Sequence, residues 1–359
     1  MTSRIGGHTD SHQRILIRSA NWVGDAIMTT PAVRAIRRYY PSARITLLAK
    51  PWVAPVFEHN PDIDELMVYQ VNGRHGGWRG LWHLVTDMRC KRFDAAILFQ
   101  NAFEAAFLSF LARIPKRIGF TTDGRTALLT ERIRTWRPLK RGHLIDYYLG
   151  LLSGTGMPLH GRELTLFLTP EEQREARRFL AEKAGIDTPF LVGLNPGAAF
   201  GTAKRWLPNR FAETGRRMIF EHNAKVVIFG SPDDAALGRQ LAKDIGRGSI
   251  NLCGQTSLRQ AMTLIGQCHL FVTNDSGLMH VAAALNIPQV AIIGPTNPVA
   301  TGPVNKASRL IHRPEACPLS PCLKPTCPIT DQRCMTAISV EMVMEAARGL
   351  IAPSKGPSP

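Results

Sequence analysis

The chain has 359 residues, of which 44% are hydrophobic and 20% charged, and its formal net charge is +16. This length exceeds one ordinary hydrophobic core and predicts two domains. Residues 1–150 hold 22 Lys and Arg against 12 Asp and Glu, so +10 of the charge lies in the first half. This excess of positive charge favours an anionic partner, such as a phosphorylated substrate, a lipid surface or nucleic acid. The alternative is a basic surface that only keeps the chain soluble.

The sequence predicts no membrane span, because a spanning helix needs roughly 20 apolar residues. The longest apolar stretch, residues 281–293, is interrupted by Asn286, Pro288 and Gln289. Residues 1–13 are polar and lack the apolar segment of a secretory signal. We therefore expect a cytoplasmic protein, in which the seven cysteines are thiols or metal ligands rather than disulfides.

Strands and helices alternate along the first half of the chain. The predicted strands are 14–19, 44–49, 66–69, 95–99 and 117–119, and the predicted helices are 26–40, 52–59, 78–91, 102–112 and 144–153. This alternation indicates βαβ units and a parallel sheet. The Gly- and Pro-containing stretch 154–167 is the predicted linker.

A polar turn follows the first strand, with the sequence Asn21-Trp22-Val23-Gly24-Asp25. Ligands of open α/β sheets bind at such carboxyl ends of strands. A phosphate-binding loop would not place an acid there. Asp25 is therefore a candidate general base that takes a proton from an attacking hydroxyl. The alternative is that Asp25 only caps the helix 26–40.

The second half repeats the alternation after a helix start at Thr169-Pro170-Glu171-Glu172, with Thr as the N-cap and Pro at the first position. The predicted strands are 190–194, 225–229, 250–252, 270–273 and 289–293, and the predicted helices are 208–221, 233–244, 257–266, 278–285 and 339–350. The prediction is an α/β protein of two facing Rossmann-like domains with parallel sheets and a cleft between them. The domains span 1–160 and 168–335, and a helix and tail follow over 336–359.

The loop 195–206 follows the first strand of the second half and ends in Lys204-Arg205-Trp206. Ala199 and Phe200 lie at its centre. Lys204 is a candidate partner of a pyrophosphate, since charge-assisted bonds to phosphate are strong. The Gly-Lys-Ser/Thr of a Walker A loop is missing. The alternative for Lys204 is a solvated surface lysine.

Acidic residues follow the next strand, at Asp233 and Asp234. Acids at this place commonly bind ribose hydroxyls, although they also cap helices. Thr256, after the following strand, is a further candidate contact for ribose or adenine.

The turn Asn274-Asp275-Ser276-Gly277 follows an apolar strand and opens a helix. The backbone N–H groups of Ser276 and Gly277 then point out of the positive end of that helix and predict an anion site. His280, one turn on, adds a side-chain donor, while Asp275 suits sugar hydroxyls. The alternative is that the turn only caps the helix. Three such strand ends predict a nucleotide-diphosphate pocket.

Four cysteines, Cys317, Cys322, Cys327 and Cys334, lie within 18 residues. Four thiolates are able to hold zinc or an iron–sulfur cluster. No Cys-x-x-Cys pair is present, so plain thiols are favoured over a metal site. The other three cysteines are predicted to lie in the core: Cys90, Cys253 and Cys268.

These segments resemble glycosyltransferase family 9, the bacterial lipopolysaccharide heptosyltransferases. The resemblance is carried by residues 21–25, 114–119 with Asn101 and Phe103 before them, 195–198, 203–206, 229–231, 272–285 and 294–296. The run from Val272 to Leu285 is its most specific part.

The resemblance implies a GT-B fold, with the acceptor domain first and the donor domain second. It implies an inverting transfer of L-glycero-D-manno-heptose from ADP-heptose to the first heptose of the lipopolysaccharide inner core, by an enzyme associated with the inner membrane face. The alternative is a family member that acts at another step of core assembly. Neither a metal cofactor nor a nucleic acid is expected.

The resemblance also assigns roles to residues. Asp25 is the base and Lys204 meets the diphosphate. The residues that bind diphosphate and heptose are Asp275, Ser276, Gly277 and His280. The residues on the acceptor side are Asn21, Trp22, Gly24 and Asn101.

Overall fold

The computed structural model describes residues 13–136, 139, 141–184 and 190–351. Most of the predicted polar N-terminal stretch and the tail after Ile351 lie outside the described residues. Contacts divide the chain into two compact units, Met1–Phe167 and Leu168–Pro359.

The first unit is built on a six-stranded parallel sheet in the order β3-β2-β1-β4-β5-β6. Its strands are β1 Arg14–Arg18, β2 Arg44–Ala49, β3 Glu65–Val68, β4 Ala95–Leu98, β5 Lys116–Phe120 and β6 Glu131–Ile133. The five predicted strands are confirmed to within two residues. The strand β6 was not predicted, because three residues with two charges carry no apolar run.

The helices of the first unit include α1 Val23–Met28, α2 Thr30–Tyr39, α3 Gly77–Cys90, α4 Phe103–Leu111 and α5 Leu144–Ser153. The prediction of an α-helix over 52–59 is wrong, because only a short 3₁₀ turn forms there, over Ala54–Phe57. Pro55 lies at the start of that turn and lacks the N–H that a longer helix needs.

The predicted helix 26–40 is two helices, and the first begins earlier than expected. Pro31 has no N–H to donate, and the hydroxyl of Thr30 donates instead to the carbonyl of Ile27 at 2.8 Å. The helix is therefore interrupted at Thr29, between α1 and α2. Trp22 is the N-cap of α1, so Asp25 lies inside the first turn. The interpretation of Asp25 as a helix cap is therefore wrong.

The second unit contains another six-stranded parallel sheet, in the order β12-β11-β10-β7-β8-β9. Its strands are β7 Leu191–Asn195, β8 Lys225–Ile228, β9 Ser249–Asn251, β10 Leu270–Asn274, β11 Gln289–Ile293 and β12 Ser308–His312. The five predicted strands are confirmed. The strand β12 was not predicted, because its sequence Ser-Arg-Leu-Ile-His is half polar.

The helices of the second unit include α6 Pro170–Ala184, α7 Pro208–His222, α8 Ala235–Ile245, α9 Leu258–Ile265, α10 Gly277–Ala284, α11 Pro298–Thr301, α12 Arg333–Thr336 and α13 Val340–Ile351. Trp206 is 1% exposed in the core of this unit and donates its indole N–H to the carbonyl of Ile338 at 2.9 Å. No helix among the described residues has the length and apolar character needed to cross a bilayer.

The start of α6 is tied to α9 by a charged pair. Thr169 donates its N–H to Glu172 at 2.7 Å and accepts the N–H of Glu172 at 3.2 Å, which forms the predicted cap. Arg259 of α9 donates to both carboxylate oxygens of Glu172, at 2.6 and 2.8 Å. The pair fixes the two helices side by side.

This pair makes the stability of the second unit depend on pH. The hydrogen bonds from Arg259 lower the pKa of Glu172 from 4.5 to about 2. A lowered folded-state pKa stabilises the protein above the unfolded pKa, and this contribution is lost as the pH falls from 4.5 towards about 2. We therefore expect the wild type to lose its stability advantage over Glu172→Gln in that window. Denaturant unfolding at a series of pH values measures the advantage. A constant difference across the window would contradict the pairing.

Candidate active site

The turn after β10 holds a buried carboxylate with two protein partners. Asp275 is 4% exposed. Its Oδ2 accepts from Lys204 Nζ at 2.8 Å and from Thr296 Oγ1 at 2.5 Å. Thr296 follows β11 and Lys204 ends the loop after β7, so the carboxyl ends of three parallel strands supply this cluster. Their adjacency in the sheet brings together residues far apart in sequence.

Asparagines at the ends of β7 and β10 fix the shape of the turn. Asn195 lies beside Thr273 in the strand register and donates to its hydroxyl at 2.9 Å and to Ser276 Oγ at 2.6 Å. Asn274 accepts the backbone N–H of Trp206 at 3.0 Å and donates to the carbonyl of Pro196 at 2.7 Å. Both amides therefore lock the loop after β7 onto the turn.

The alternative that this turn only caps α10 is wrong. Ser276 is the N-cap residue of α10, yet its side chain makes no capping hydrogen bond. The side chains of Asn274 and Asp275 are bonded to the loop after β7 and to Thr296. The turn is thus organised around Lys204 and the loop rather than around the helix N–H groups. This arrangement suits an anion at the start of α10.

Lys204 is not a solvated surface lysine. Its side chain is 13% exposed. Besides the pair with Asp275, its ammonium lies 5.1 Å from the ring centroid of Phe200 in a cation–π contact. Phe200 itself is 46% exposed, and Ala199 beside it is exposed. The loop therefore presents an aromatic ring and a held cation at the edge of the sheet.

The cysteine-containing segment supports this loop from behind. Ala203 donates its N–H to the carbonyl of Pro325 at 3.0 Å. A Cβ at Gly201 would lie 2.1 Å from that same oxygen, so only glycine allows the close approach. The segment between Cys322 and Cys327 thus positions the turn that carries Lys204.

The four clustered cysteines are unpaired thiols, as are Cys90, Cys253 and Cys268. Cys317 and Cys334 are buried, whereas Cys322 and Cys327 are partly exposed. Among the described residues, no set of three or more His, Cys, Asp or Glu side chains is arranged to hold a metal ion.

Two of the remaining cysteines lie in the core as predicted, and the third does not. Burial raises the pKa of Cys253 to about 12 and that of Cys268 further. The core prediction is wrong for Cys90, which is exposed at the end of α3.

The two acids after β8 differ in environment. Asp233 is exposed. Asp234 is 5% exposed, accepts the N–H and hydroxyl of Ser231 at 3.0 and 2.7 Å, and pairs with Arg205 at 3.0 Å. A Cβ at Gly197 would lie 2.4 Å from its carboxylate. Asp234 therefore joins the loops after β7 and β8, and its carboxylate is engaged by protein.

The two remaining predicted residues of this unit, Thr256 and His280, lie in different surroundings. Thr256 lines a groove of about 680 Å³ between α6 and α9, together with Phe179 and Arg259. His280 is 3% exposed, in the first turn of α10.

In the first unit, Asp25 lies at the carboxyl edge of the sheet, in the first turn of α1. It is partly buried, and its negative charge helps to raise the pKa of Tyr148, which burial already raises well above its ordinary value. Trp22, beside it, is 60% exposed. A partly buried carboxylate next to an exposed indole suits the binding of a sugar hydroxyl.

Asn101 is held at the same edge by a partly buried tyrosine and a buried arginine. Its amide donates to the hydroxyl of Tyr147 at 2.9 Å, and its Oδ1 accepts from Arg125 at 3.2 Å. Arg125 is fully buried and also donates to the carbonyls of Phe120 and Gln100. Burial lowers the pKa of Arg125 to about 10.

A second buried arginine, which was not predicted from the sequence, holds the turn that contains Asn21. Arg18 is 1% exposed and donates to Asn21 Oδ1 at 3.1 Å and to the carbonyl of Leu48 at 3.2 Å. Burial lowers its pKa to about 10. Trp52 donates its indole N–H to the carbonyl of Asn21 at 2.9 Å, and Lys50 lies 5.6 Å from the Trp52 ring. An arginine ending an apolar strand is the signal that marks Arg18.

Comparisons with known proteins agree with these strand-end motifs. The family model described as glycosyltransferase family 9 (heptosyltransferase) matches residues 81–332. The chain belongs to glycosyltransferase family 9. The resemblance predicted from the motifs is thus confirmed, and the protein is a glycosyltransferase.

Within family 9 the chain is similar to proteins named lipopolysaccharide heptosyltransferase 2. It is 33% identical to that of Escherichia coli K12 over 312 residues, 83% of this chain and 88% of the relative. It is 34% identical to that of Salmonella typhimurium over 320 residues, with the same coverage.

The solved structure of E. coli ADP-heptose LPS heptosyltransferase II superposes with a TM-score of 0.78 at 29% identity, covering 94% of this chain and 98% of that one. The predicted fold class, GT-B with two Rossmann-like parallel sheets, is confirmed.

Proposed function

We propose that this protein transfers L-glycero-D-manno-heptose from ADP-heptose to the first heptose of the lipopolysaccharide inner core. The observation that carries the proposal is the cluster of Lys204, Asp275 and Thr296 at the uncapped start of α10. It combines a held cation with helix N–H groups, which together suit a diphosphate. The relatives named heptosyltransferase 2 support the choice of sugar and acceptor.

In this proposal the second unit binds the donor. The Lys204 ammonium and the N–H groups of Ser276 and Gly277 stabilise the negative charge that develops on the departing ADP. Asp275, with Oδ2 bonded to Lys204 and Thr296, offers Oδ1 to the hydroxyls of the heptose. The buried His280 lies one turn further along the same helix.

Exposure favours one of the two acids for the ribose. Asp234 is engaged by Ser231 and Arg205, whereas Asp233 is exposed, so the proposal assigns the ribose hydroxyls to Asp233. Thr256 is assigned to the adenine side.

The first unit binds the acceptor in this proposal. Asp25 takes the proton from the acceptor hydroxyl, which then attacks the anomeric carbon in a single displacement and inverts it. Trp22 stacks on the acceptor sugar, and Gly24 allows a close approach to the turn. Asn21 and Asn101, held by Arg18 and Arg125, supply fixed polar contacts.

The proposal is tested by an assay of donor and acceptor together. Purified protein is incubated with ADP-heptose and with Kdo₂-lipid A that carries its first heptose or lacks it. We expect ADP release and a product one heptose heavier only with the heptose-bearing acceptor. Transfer to the acceptor that lacks heptose would identify an earlier step of core assembly. Absence of transfer to either, with intact ADP-heptose binding, would point to a later-acting family member.

A further inference from the structure

The tryptophans of the first unit lie on its surface. Five of the six tryptophans of the chain are in this unit, and each is at least 46% exposed, whereas Trp206 of the second unit is 1% exposed. The exposed set is Trp22 60%, Trp52 47%, Trp78 71%, Trp82 48% and Trp136 46%. Isolated exposed apolar residues are ordinary, but a group on one element marks an interaction surface.

Two of these tryptophans share one face of α3. Trp78 and Trp82 are four residues apart, so they are neighbours on the helix surface. Arg79 and His83 are exposed beside them. The inner side of α3 is buried through Leu84 and Met88, which belong to the core cluster that contains residues of the sheet. We call the outer set Trp78, Arg79, Trp82 and His83 the α3 face.

The chain before α3 holds the α3 face in place. His75 accepts the N–H of Gln70 at 3.1 Å and lies 3.2 Å from Asp87 of the helix, which also pairs with Arg74 at 2.8 Å. A Cβ at Gly80 would lie 2.3 Å from the backbone of His75, so the loop crosses the helix in close contact. The indoles therefore project from a fixed helix.

The surroundings of the α3 face are basic. Residues 74–92 contain five Lys and Arg and a single acid, Asp87. Arg74 pairs with Asp87 and Lys91 pairs with Glu65, so the positive charge of the segment rests on Arg79, Arg89 and Arg92. The guanidinium of Arg79 lies 5.2 Å from the ring centroid of Trp78, which keeps the cation at the level of the indole. Exposed Trp with Arg on an amphipathic helix is the composition of elements that lie in a membrane interface.

We propose that the α3 face docks this protein on an anionic phospholipid bilayer, with Trp78 and Trp82 inserted at the level of the headgroups. The bilayer interface leaves the indole N–H and the guanidinium in a polar layer while the rings reach the apolar boundary. The positive charge of the segment complements anionic headgroups.

The experiment measures binding of the full chain to phosphatidylcholine vesicles with and without phosphatidylglycerol. We expect the wild type to bind the anionic vesicles. The affinity for these vesicles should fall about tenfold in Trp78→Ser/Trp82→Ser and by a similar factor in Arg79→Glu. The matched control is Phe220→Ser, which removes a side chain 91% exposed on α7 of the second unit and leaves binding unchanged. Unchanged binding in the tryptophan variant would overturn the proposal.

A second measurement keeps the proposal testable if the serine variant fails to fold. Trp78→Phe/Trp82→Phe keeps aromatic rings on the face, so we expect it to bind vesicles but to lose the fluorescence quenching that brominated lipids cause in the wild type. The other tryptophans remain in this variant, so quenching that persists undiminished would come from them and would overturn the insertion of the α3 face. A wild-type dimer that becomes a monomer in either variant would show that the face binds a second copy instead. These readouts need no sugar, so they stand apart from the transferase assay.

Discussion

Asp25→Asn is expected to lower kcat by about 10²–10⁴-fold, the usual contribution of a general base, and to leave the affinity for ADP-heptose nearly unchanged. The amide has the shape of the carboxylate but accepts no proton from the acceptor hydroxyl. Asp25 lies in the first unit, while the cluster proposed to bind the diphosphate lies in the second. Calorimetry measures donor affinity and single-turnover kinetics measure the chemical step.

The matched control is Asp146→Asn. Asp146 is also an acid in the first turn of a helix of the first unit, and it pairs with Arg162 at 2.9 Å. A helix-dipole effect of the lost charge would appear in both variants, whereas the loss of kcat appears only at Asp25. Weakened donor binding with residual catalysis in Asp25→Asn would contradict the role of base.

The two sheets could be predicted from the sequence because parallel strands are buried on both faces. Such strands are short continuous apolar runs, and β10 is buried at every position. The two strands that were not predicted, β6 and β12, lie at sheet edges. Edge strands tolerate polar and charged residues, so their apolar signal is weaker. The other two edge strands, β3 and β9, could still be predicted.

The turns that hold the candidate site could be predicted, but their partners could not. Gly, Asp and Ser directly after an apolar strand mark a strand end whose backbone is exposed to a ligand. The pairing of Asp275 with a lysine 71 residues earlier depends on β7 lying beside β10. Strand order is a property of the whole sheet, so local sequence does not reveal it.

The burial of two arginines also depends on contacts that local sequence does not reveal. Arg18 and Arg125 are each 1% exposed or less, although arginine is mostly a surface residue. Burial of their charge is tolerated because carbonyl groups from separate strand ends accept their N–H groups. Those carbonyls come together only after the sheet has formed, so the position of Arg18 at the end of an apolar strand is a weak local signal, and Arg125 carries no comparable one.

Lys204→Met is expected to weaken ADP binding by about ten- to a hundredfold, which corresponds to the loss of one charge-assisted contact with phosphate. The same change leaves the buried carboxylate of Asp275 without its cation. Breaking a buried pair in this way costs about 3–5 kcal/mol of stability. The variant therefore loses both ligand affinity and stability, and a second change is needed to separate the two effects.

The double variant Lys204→Met/Asp275→Asn removes both charges and so removes the unpaired carboxylate. We expect it to regain most of the lost stability while ADP affinity stays low, because the lysine contact to phosphate is still missing. Thermal unfolding and calorimetry with ADP measure the two quantities. Lys243→Met, at an exposed lysine of α8, is the control for removing one positive charge from the second unit. If the double variant recovered ADP affinity together with stability, Lys204 would act by holding Asp275 rather than by contacting the diphosphate.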